Sequence, residues 1–188
     1  MSELTRFDYD GGYEAYKKEQ IAANHRKLSW EFKRPQQMDE IKKIKPEAAN
    51  ILCHGTRRGG EQKAFIDRYP DAYVIGSEIS DTATQFPNTV EHDFNTPKQD
   101  WVNKFDIVYS NAFDHAYDPE ITIKVWKEQL APEGVMFIHW NVEQNTKSHK
   151  VDPISGTMKQ FMHFLERHGF ECRLTTVKDL VECRVIKD

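Results

Sequence analysis

Asn50-Ile51-Leu52-Cys53-His54-Gly55-Thr56-Arg57-Arg58-Gly59-Gly60-Glu61 is the stretch whose reading decides the fold. The apolar run Asn50–His54 reads as a strand, the glycines after it as turn chemistry, and Glu61–Tyr69 as a helix. Glycines that leave a strand and open a helix let backbone N–H groups approach a ligand at the positive helix end. No Gly-Lys-Ser/Thr follows, so this is not a Walker loop, and the full Gly-x-Gly-x-x-Gly spacing is missing too. Taken alone, the loop also suits a glycine-rich turn that holds no ligand.

Working outward, short apolar runs alternate with helical stretches. Strands are expected at Ala72–Ser77, Thr89–His92, Phe105–Ser110, Val135–Trp140, Phe170–Val177 and Leu180–Ile186. Helices are expected at Glu120–Leu130 and Thr157–His168. Such alternation predicts a mostly parallel sheet covered on both faces, a three-layer α/β/α sandwich with seven strands. The last two strands are separated only by a turn near Lys178–Asp179, which predicts a hairpin and an antiparallel edge strand. Before the first strand, Tyr13–Leu28 and Gln36–Lys45 read as two helices, the second closed by Pro46. Residues 1–46 are therefore expected to form a short helical N-terminal cap on a domain spanning 47–188.

The bulk numbers fit one globular domain. The chain has 188 residues, 38% hydrophobic and 12% aromatic, too many aromatics for a disordered chain. Its 26 Lys and Arg against 30 Asp and Glu give a net charge of −4, which does not indicate nucleic-acid binding. Residues 15–46 are locally basic, with nine Lys/Arg against four Asp/Glu, which reads as a solvated helical face or as a lip attracting an anionic substrate. The three cysteines, Cys53, Cys172 and Cys183, lack CxxC spacing. The 8 histidines show no HxH or HExxH pattern, so no metal site is expected. With no apolar leader and no long apolar run, the expectation is a cytoplasmic protein that does not bind membranes. No motif sets an oligomeric state.

Three further segments carry chemistry. Glu78 ends the second strand 23 residues after Gly55, where a carboxylate can accept hydrogen bonds from two ribose hydroxyls. Asp93-Phe94 ends the third, suiting an adenine whose exocyclic amine donates to Asp93 and whose ring packs on Phe94. Asn111-Ala112 gives the buried fourth strand a polar end. On the acceptor side, Asp114 and His115 follow the fourth strand, and His139 and Asn141 leave the fifth. Tyr13, Tyr16, Trp30 and Phe32 read as helix packing, or as part of a lid over the pocket.

This ordered set resembles the class I (Rossmann-like) S-adenosylmethionine-dependent methyltransferases, in particular the type 11 group. The resemblance rests on the loop Gly55–Gly59, Val74-Ile75-Gly76-Ser77-Glu78-Ile79-Ser80, Phe105-Asp106-Ile107-Val108-Tyr109-Ser110-Asn111, Phe113-Asp114-His115-Ala116-Tyr117-Asp118-Pro119 and Leu130-Ala131-Pro132-Glu133-Gly134-Val135. It covers residues 48–140 and implies a seven-stranded sheet whose last strand is inserted antiparallel. It further implies S-adenosylmethionine as cofactor, held by Cys53, His54, Gly55, Arg57, Gly59, Glu78, Ile79, Asp93, Phe94, Asn111 and Ala112. The implied activity is methyl transfer to an unidentified acceptor, a small molecule being preferred. Two positions depart from the pattern: Cys53 stands where the family carries an acid and Arg57 where it carries a glycine. One expectation is that Arg57 pairs with the methionine carboxylate of the cofactor. The rival readings are an NAD-type enzyme on the same sheet and a non-catalytic binding module that has kept the fold.

Overall fold

The computed structural model describes residues 3–31 and 34–187; the expectation for Phe32 lies outside them. In chain order the elements are β1 (Thr5–Arg6), α1 (Gly12–Arg26), α2 (Pro35–Ile44), β2 (Asn50–His54), α3 (Gly60–Ile66), β3 (Tyr73–Glu78) and β4 (Thr89–Glu91). Next come β5 (Phe105–Ser110), α4 (Pro119–Gln129), β6 (Leu130–His139), β7 (Ile154–Ser155), α5 (Met158–Arg167), β8 (Phe170–Leu174) and β9 (Leu180–Val185). Local chemistry starts the helices where they start. Pro35 and Pro119 open α2 and α4, where a missing N–H costs nothing. The Asp118 carboxylate accepts from the N–H groups of Glu120 and Ile121, and Thr157 with Gln160 forms a reciprocal capping box on α5.

Seven strands form one sheet in the order β4-β3-β2-β5-β6-β9-β8. The pairs from β4 through β6 are parallel, and β9 runs antiparallel to both β6 and β8. The antiparallel strand is thus inserted one place in from the edge, and β8, the edge strand, runs with the others. The antiparallel edge hairpin is as expected, and so is the inserted last strand; of the hairpin's two strands it is β9, and not the edge strand β8, that runs against the sheet.

Alternation along the strands sends side chains to opposite faces. Ile51 and Cys53 of β2 join Ile107, Tyr109, Val135 and Phe137 in a core closed by Met38 and Ile41 of α2 and Phe65 of α3. Leu52, Val108, Met136 and Ile138 join the other core, closed by Trp126 of α4 and by Phe161 and Leu165 of α5. The layers are therefore α2 and α3, the sheet, then α4 and α5. With two of its side chains in the core, α2 is a layer of the sandwich, and α1 alone of the N-terminal helices crosses the strand ends.

Two features were not anticipated. β1 and β7 pair as a small antiparallel ribbon, too short for any periodic signal. β6 begins at Leu130, which pairs with Phe105 before the register shifts ahead of Ile107. Pro132 and the positive φ of Glu133 interrupt the apolar pattern there, so a pattern-based boundary falls at Val135. Among the described residues, no helix is long and apolar enough to cross a membrane.

His54 gives the fold a pH signature. Its Nδ1 lies 2.7 Å from Ser77 Oγ, its Nε2 2.8 Å from Gln129 Oε1, and its ring stacks on Trp126. Burial holds its pKa down to about 3. An unfolded chain protonates this imidazole below about pH 6.5, so the unfolded state binds more protons between that pH and the folded pKa. Stability contributed by the neutral ring is present above pH 6.5 and is lost as pH falls toward 3. His54→Gln, which does not titrate, is expected to flatten the fall of the thermal unfolding midpoint between pH 6.5 and 4. Equal slopes in variant and wild type would contradict this.

Candidate functional site

The chain reverses its direction across the sheet between β2 and β5, and the crevice beyond the C-terminal ends of such strands is where open α/β sheets bind ligands. The loop after β2 is fastened to the end of β3 there. Gly55 and Thr56 donate their N–H groups to the Ser77 carbonyl at 2.9 and 3.2 Å. Arg57 N–H donates to Glu78 Oε2 at 2.9 Å, and Ser80 N–H to Glu78 Oε1 at 3.2 Å. Gly55 has φ +69°, and a Cβ on it would lie 2.7 Å from the Ala112 methyl, so only glycine serves. Gly76 is required by close approach: a Cβ would fall 1.9 Å from the Gln62 amide nitrogen, which ties α3 to Thr56 and Thr89.

These elements enclose a cleft of about 350 Å³. Of the residues expected to hold a cofactor, Gly55, Arg57, Glu78, Ile79, Asp93, Phe94, Asn111 and Ala112 line it. The acceptor-side candidates Asp114, His115, His139 and Asn141 line it as well. Three expected residues do not. Cys53 is fully buried in the core shared with α2 and α3, and His54 in the opposite one, because both belong to the body of a strand covered on both faces. Gly59, at φ +76°, instead caps the start of α3.

Several cleft residues escaped the sequence reading. Gln20 reaches it from α1, Lys27 from just past the end of α1, Glu61 from the first turn of α3, and Asp152 from the loop before β7. Glu61 carried a legible signal, an acid directly after the glycine loop; Asp152 carried none. α1 closes over the strand ends through specific bonds: Tyr16 Oη donates to the His115 carbonyl at 2.9 Å, and Tyr13 Oη donates to the Asp93 carboxylate. Tyr16 is buried and also lines the cleft, so it meets both the packing and the lid readings, whereas Trp30 is 56% exposed and lies on the cleft rim. Lys27 and Arg34, from the basic stretch, line the cleft too.

Burial sets the electrostatics. It pushes the Glu61 carboxyl up to about 7, against the hydrogen bond from Asn111 Nδ2 at 3.1 Å. It raises Glu78 and Asp114 and lowers Arg57, whose guanidinium is drawn back toward charge by Glu78 and Glu61. His139 is held down at about 4 by burial and by Arg34, so its ring is neutral at physiological pH. The cleft thus holds several carboxylates in low dielectric, and a positively charged ligand would relieve them.

No protein-family model matches the chain, and no curated protein matches it. Solved structures do. The chain superposes on a 1,6-didemethyltoxoflavin N1-methyltransferase from Burkholderia thailandensis, bound to its substrate and S-adenosylhomocysteine, with TM-score 0.73. Identity is 11%, over 98% of this chain and 95% of that one. The fold is that of the class I methyltransferases. An amino pentose methyltransferase from Micromonospora echinaspora, bound to S-adenosylmethionine, shares it at TM-score 0.60 and 16% identity, over 95% of this chain and 98% of its own. An S-adenosylmethionine-dependent methyltransferase from Aquifex aeolicus does so at TM-score 0.64 and 14% identity, over 95% and 100%.

Within this methyltransferase fold, Arg57 has φ +45°, in the left-handed region that glycine favours. The substitution is therefore of a side chain and not of the loop's path. Arg57→Gly is expected to be tolerated, while the β-branched Arg57→Val is expected to cost about 2 kcal/mol more. Denaturant midpoints check the order, and a valine variant as stable as the glycine variant would contradict it.

Proposed function

We propose that the protein transfers a methyl group from S-adenosylmethionine to a small-molecule acceptor and releases S-adenosylhomocysteine. The observation that carries this reading is the Glu78 carboxylate, oriented by the N–H groups of Arg57 and Ser80 at the end of β3. Each oxygen keeps a second lone pair, the fixed acceptor pair that a vicinal ribose diol needs. The other cleft residues fit the rest of the nucleoside. Ile79 and Phe94 are apolar surface for a purine, and Asp93, whose Oδ1 accepts from the Asn95 N–H and Nδ2, keeps acceptor capacity on Oδ2 beside its Tyr13 bond. Arg57 and Glu61 are the opposite charges that a zwitterionic methionine end calls for, with Arg57 taking its carboxylate. Asn111, Gly55 and Ala112 complete the wall. When bound, the sulfonium supplies the methyl group.

The protein's own contribution is orientation, since in-line displacement gains chiefly from positioning. A base is required only where the acceptor carries a proton that must leave. His139, neutral at pH 7, and Asp114, raised by burial, are the cleft groups able to take one. The neighbours in the fold include enzymes for a heterocycle and an amino sugar, which supports a small acceptor.

S-Adenosylhomocysteine at about one hundred times its dissociation constant is expected to stabilise the fold by about 2.7 kcal/mol, raising the unfolding midpoint by about 5–10 °C. NAD is expected to have no effect, and Glu78→Gln to weaken S-adenosylhomocysteine binding about ten-fold. Stabilisation by NAD alone would favour a dinucleotide enzyme. Binding without transfer of labelled methyl to any acceptor in a broad panel would favour a binding module.

A further inference from the structure

Beside α1, three side chains that no spacing rule joins come together in the cleft wall. Asp114 and His115 sit on the 3-10 turn after β5, and Asp152 on the loop before β7. One ligand atom from each lies within 4.8 Å of the other two. All three are partly buried.

The hydrogen bonds around them fix where the protons are. His115 Nδ1 is 2.8 Å from the Val151 carbonyl and 3.1 Å from Gln20 Oε1, both acceptors. The Gln20 amide is itself oriented, because its nitrogen donates to the Val151 carbonyl at 2.9 Å. His115 therefore carries its proton on Nδ1 and turns the Nε2 lone pair toward Asp152 Oδ1, 3.6 Å away and too far for a hydrogen bond. Asp152 is held from behind. His149 Nδ1 accepts from the N–H groups of Val151 and Asp152, which leaves the His149 proton on Nε2, 3.1 Å from Asp152 Oδ2. Among the described residues, the Asp114 carboxylate accepts no hydrogen bond from another residue. The Nε2 of His115 and the carboxylates of Asp114 and Asp152 thus face one another, and His115 and Asp152 are each oriented by a hydrogen bond on the far side. A backbone carbonyl behind an imidazole and a donor behind a carboxylate are the supports that set metal ligands.

We infer that Asp114, His115 and Asp152 form a binding site for a divalent transition-metal ion in the wall of the cleft. One imidazole nitrogen and two carboxylate oxygens suit a borderline ion such as Mn²⁺, Fe²⁺ or Zn²⁺, and not Ca²⁺, which takes six to eight oxygens. With metal–ligand distances of about 2.0–2.2 Å, the donor atoms draw in to roughly 3–3.5 Å apart. Asp152, on a loop, can make that adjustment. Asp114 and His115 are pinned by Phe113, which is fully buried. Three protein ligands leave coordination positions open toward the cleft, for water or for an oxygen of the bound acceptor. The site does not depend on S-adenosylmethionine being the cofactor, and its test needs none.

Chelator-stripped protein is titrated with Mn²⁺ and followed by electron paramagnetic resonance. The expected result is one bound Mn²⁺ per chain, with coupling to one imidazole nitrogen. Asp152→Asn and His115→Gln each weaken binding at least about ten-fold, and His115→Gln also removes the nitrogen coupling. Asp81→Asn, an exposed carboxylate elsewhere, leaves binding unchanged. Thermal unfolding of each metal-free variant checks that it folds, and the nitrogen coupling of the wild-type complex reports the imidazole ligand without any variant. Absence of Mn²⁺ uptake at millimolar concentration would overturn the inference. So would binding without nitrogen coupling, or binding equal in all variants.

Discussion

Two backbone N–H groups donating to the Glu78 carboxylate hold the site together, and much of the molecule is arranged so that they can. Arg57 belongs to the loop after β2 and Ser80 to the turn after β3, so one side chain gathers both crossings at the same strand ends. The approach requires Gly55 at positive φ against Ala112, and Gly76 where the Gln62 amide crosses β3. Burial removes water that would compete for the carboxylate and raises its pKa, while the two donated bonds oppose that rise. A preorganised acceptor of this kind gives the cleft its proposed ligand.

The same burial makes the cleft a place where charge is conditional. Glu61 at about 7 and Asp114 raised lie near groups pushed the other way, His139 at about 4 and Arg57 lowered. Groups poised like this change protonation when a charged ligand arrives, which is the behaviour expected of a binding site more than of a structural core. α1 supplies the roof. Its Tyr13 and Tyr16 fasten to Asp93 and to the turn carrying His115, so the roof is bonded to the cleft wall it covers.

The order of strands and helices was legible because a sheet buried on both faces needs continuous apolar runs. Asn50–His54 and Phe105–Ser110 read as strands and are strands, with the same limits. The residue pattern of the closing hairpin does not encode which of its strands lies at the edge, since that depends on long-range packing; the inserted last strand was legible only through the family resemblance. Glycine, acid and aromatic residues at strand ends located the cleft through Gly55, Glu78, Asp93 and Phe94. Cys53 and His54, expected in the ligand loop, lie in the body of the strand, where alternation sends both side chains into the cores. Asp152 and Gln20 were invisible, since nothing local marks a loop residue and a helix residue that meet only when α1 closes on the strand ends. For the same reason, a search for metal-ligand spacings passed over a cluster assembled from separate parts of the chain.

Whether the Glu78 carboxylate receives the ribose of a nucleoside cofactor is decided by a crystal structure of the protein with S-adenosylhomocysteine. Both ribose hydroxyls are expected within hydrogen-bond distance of Glu78, the purine against Ile79 and Phe94, and the homocysteine end toward Arg57 and Glu61. Ligand density elsewhere, or in the cleft with the ribose turned away from Glu78, would contradict it.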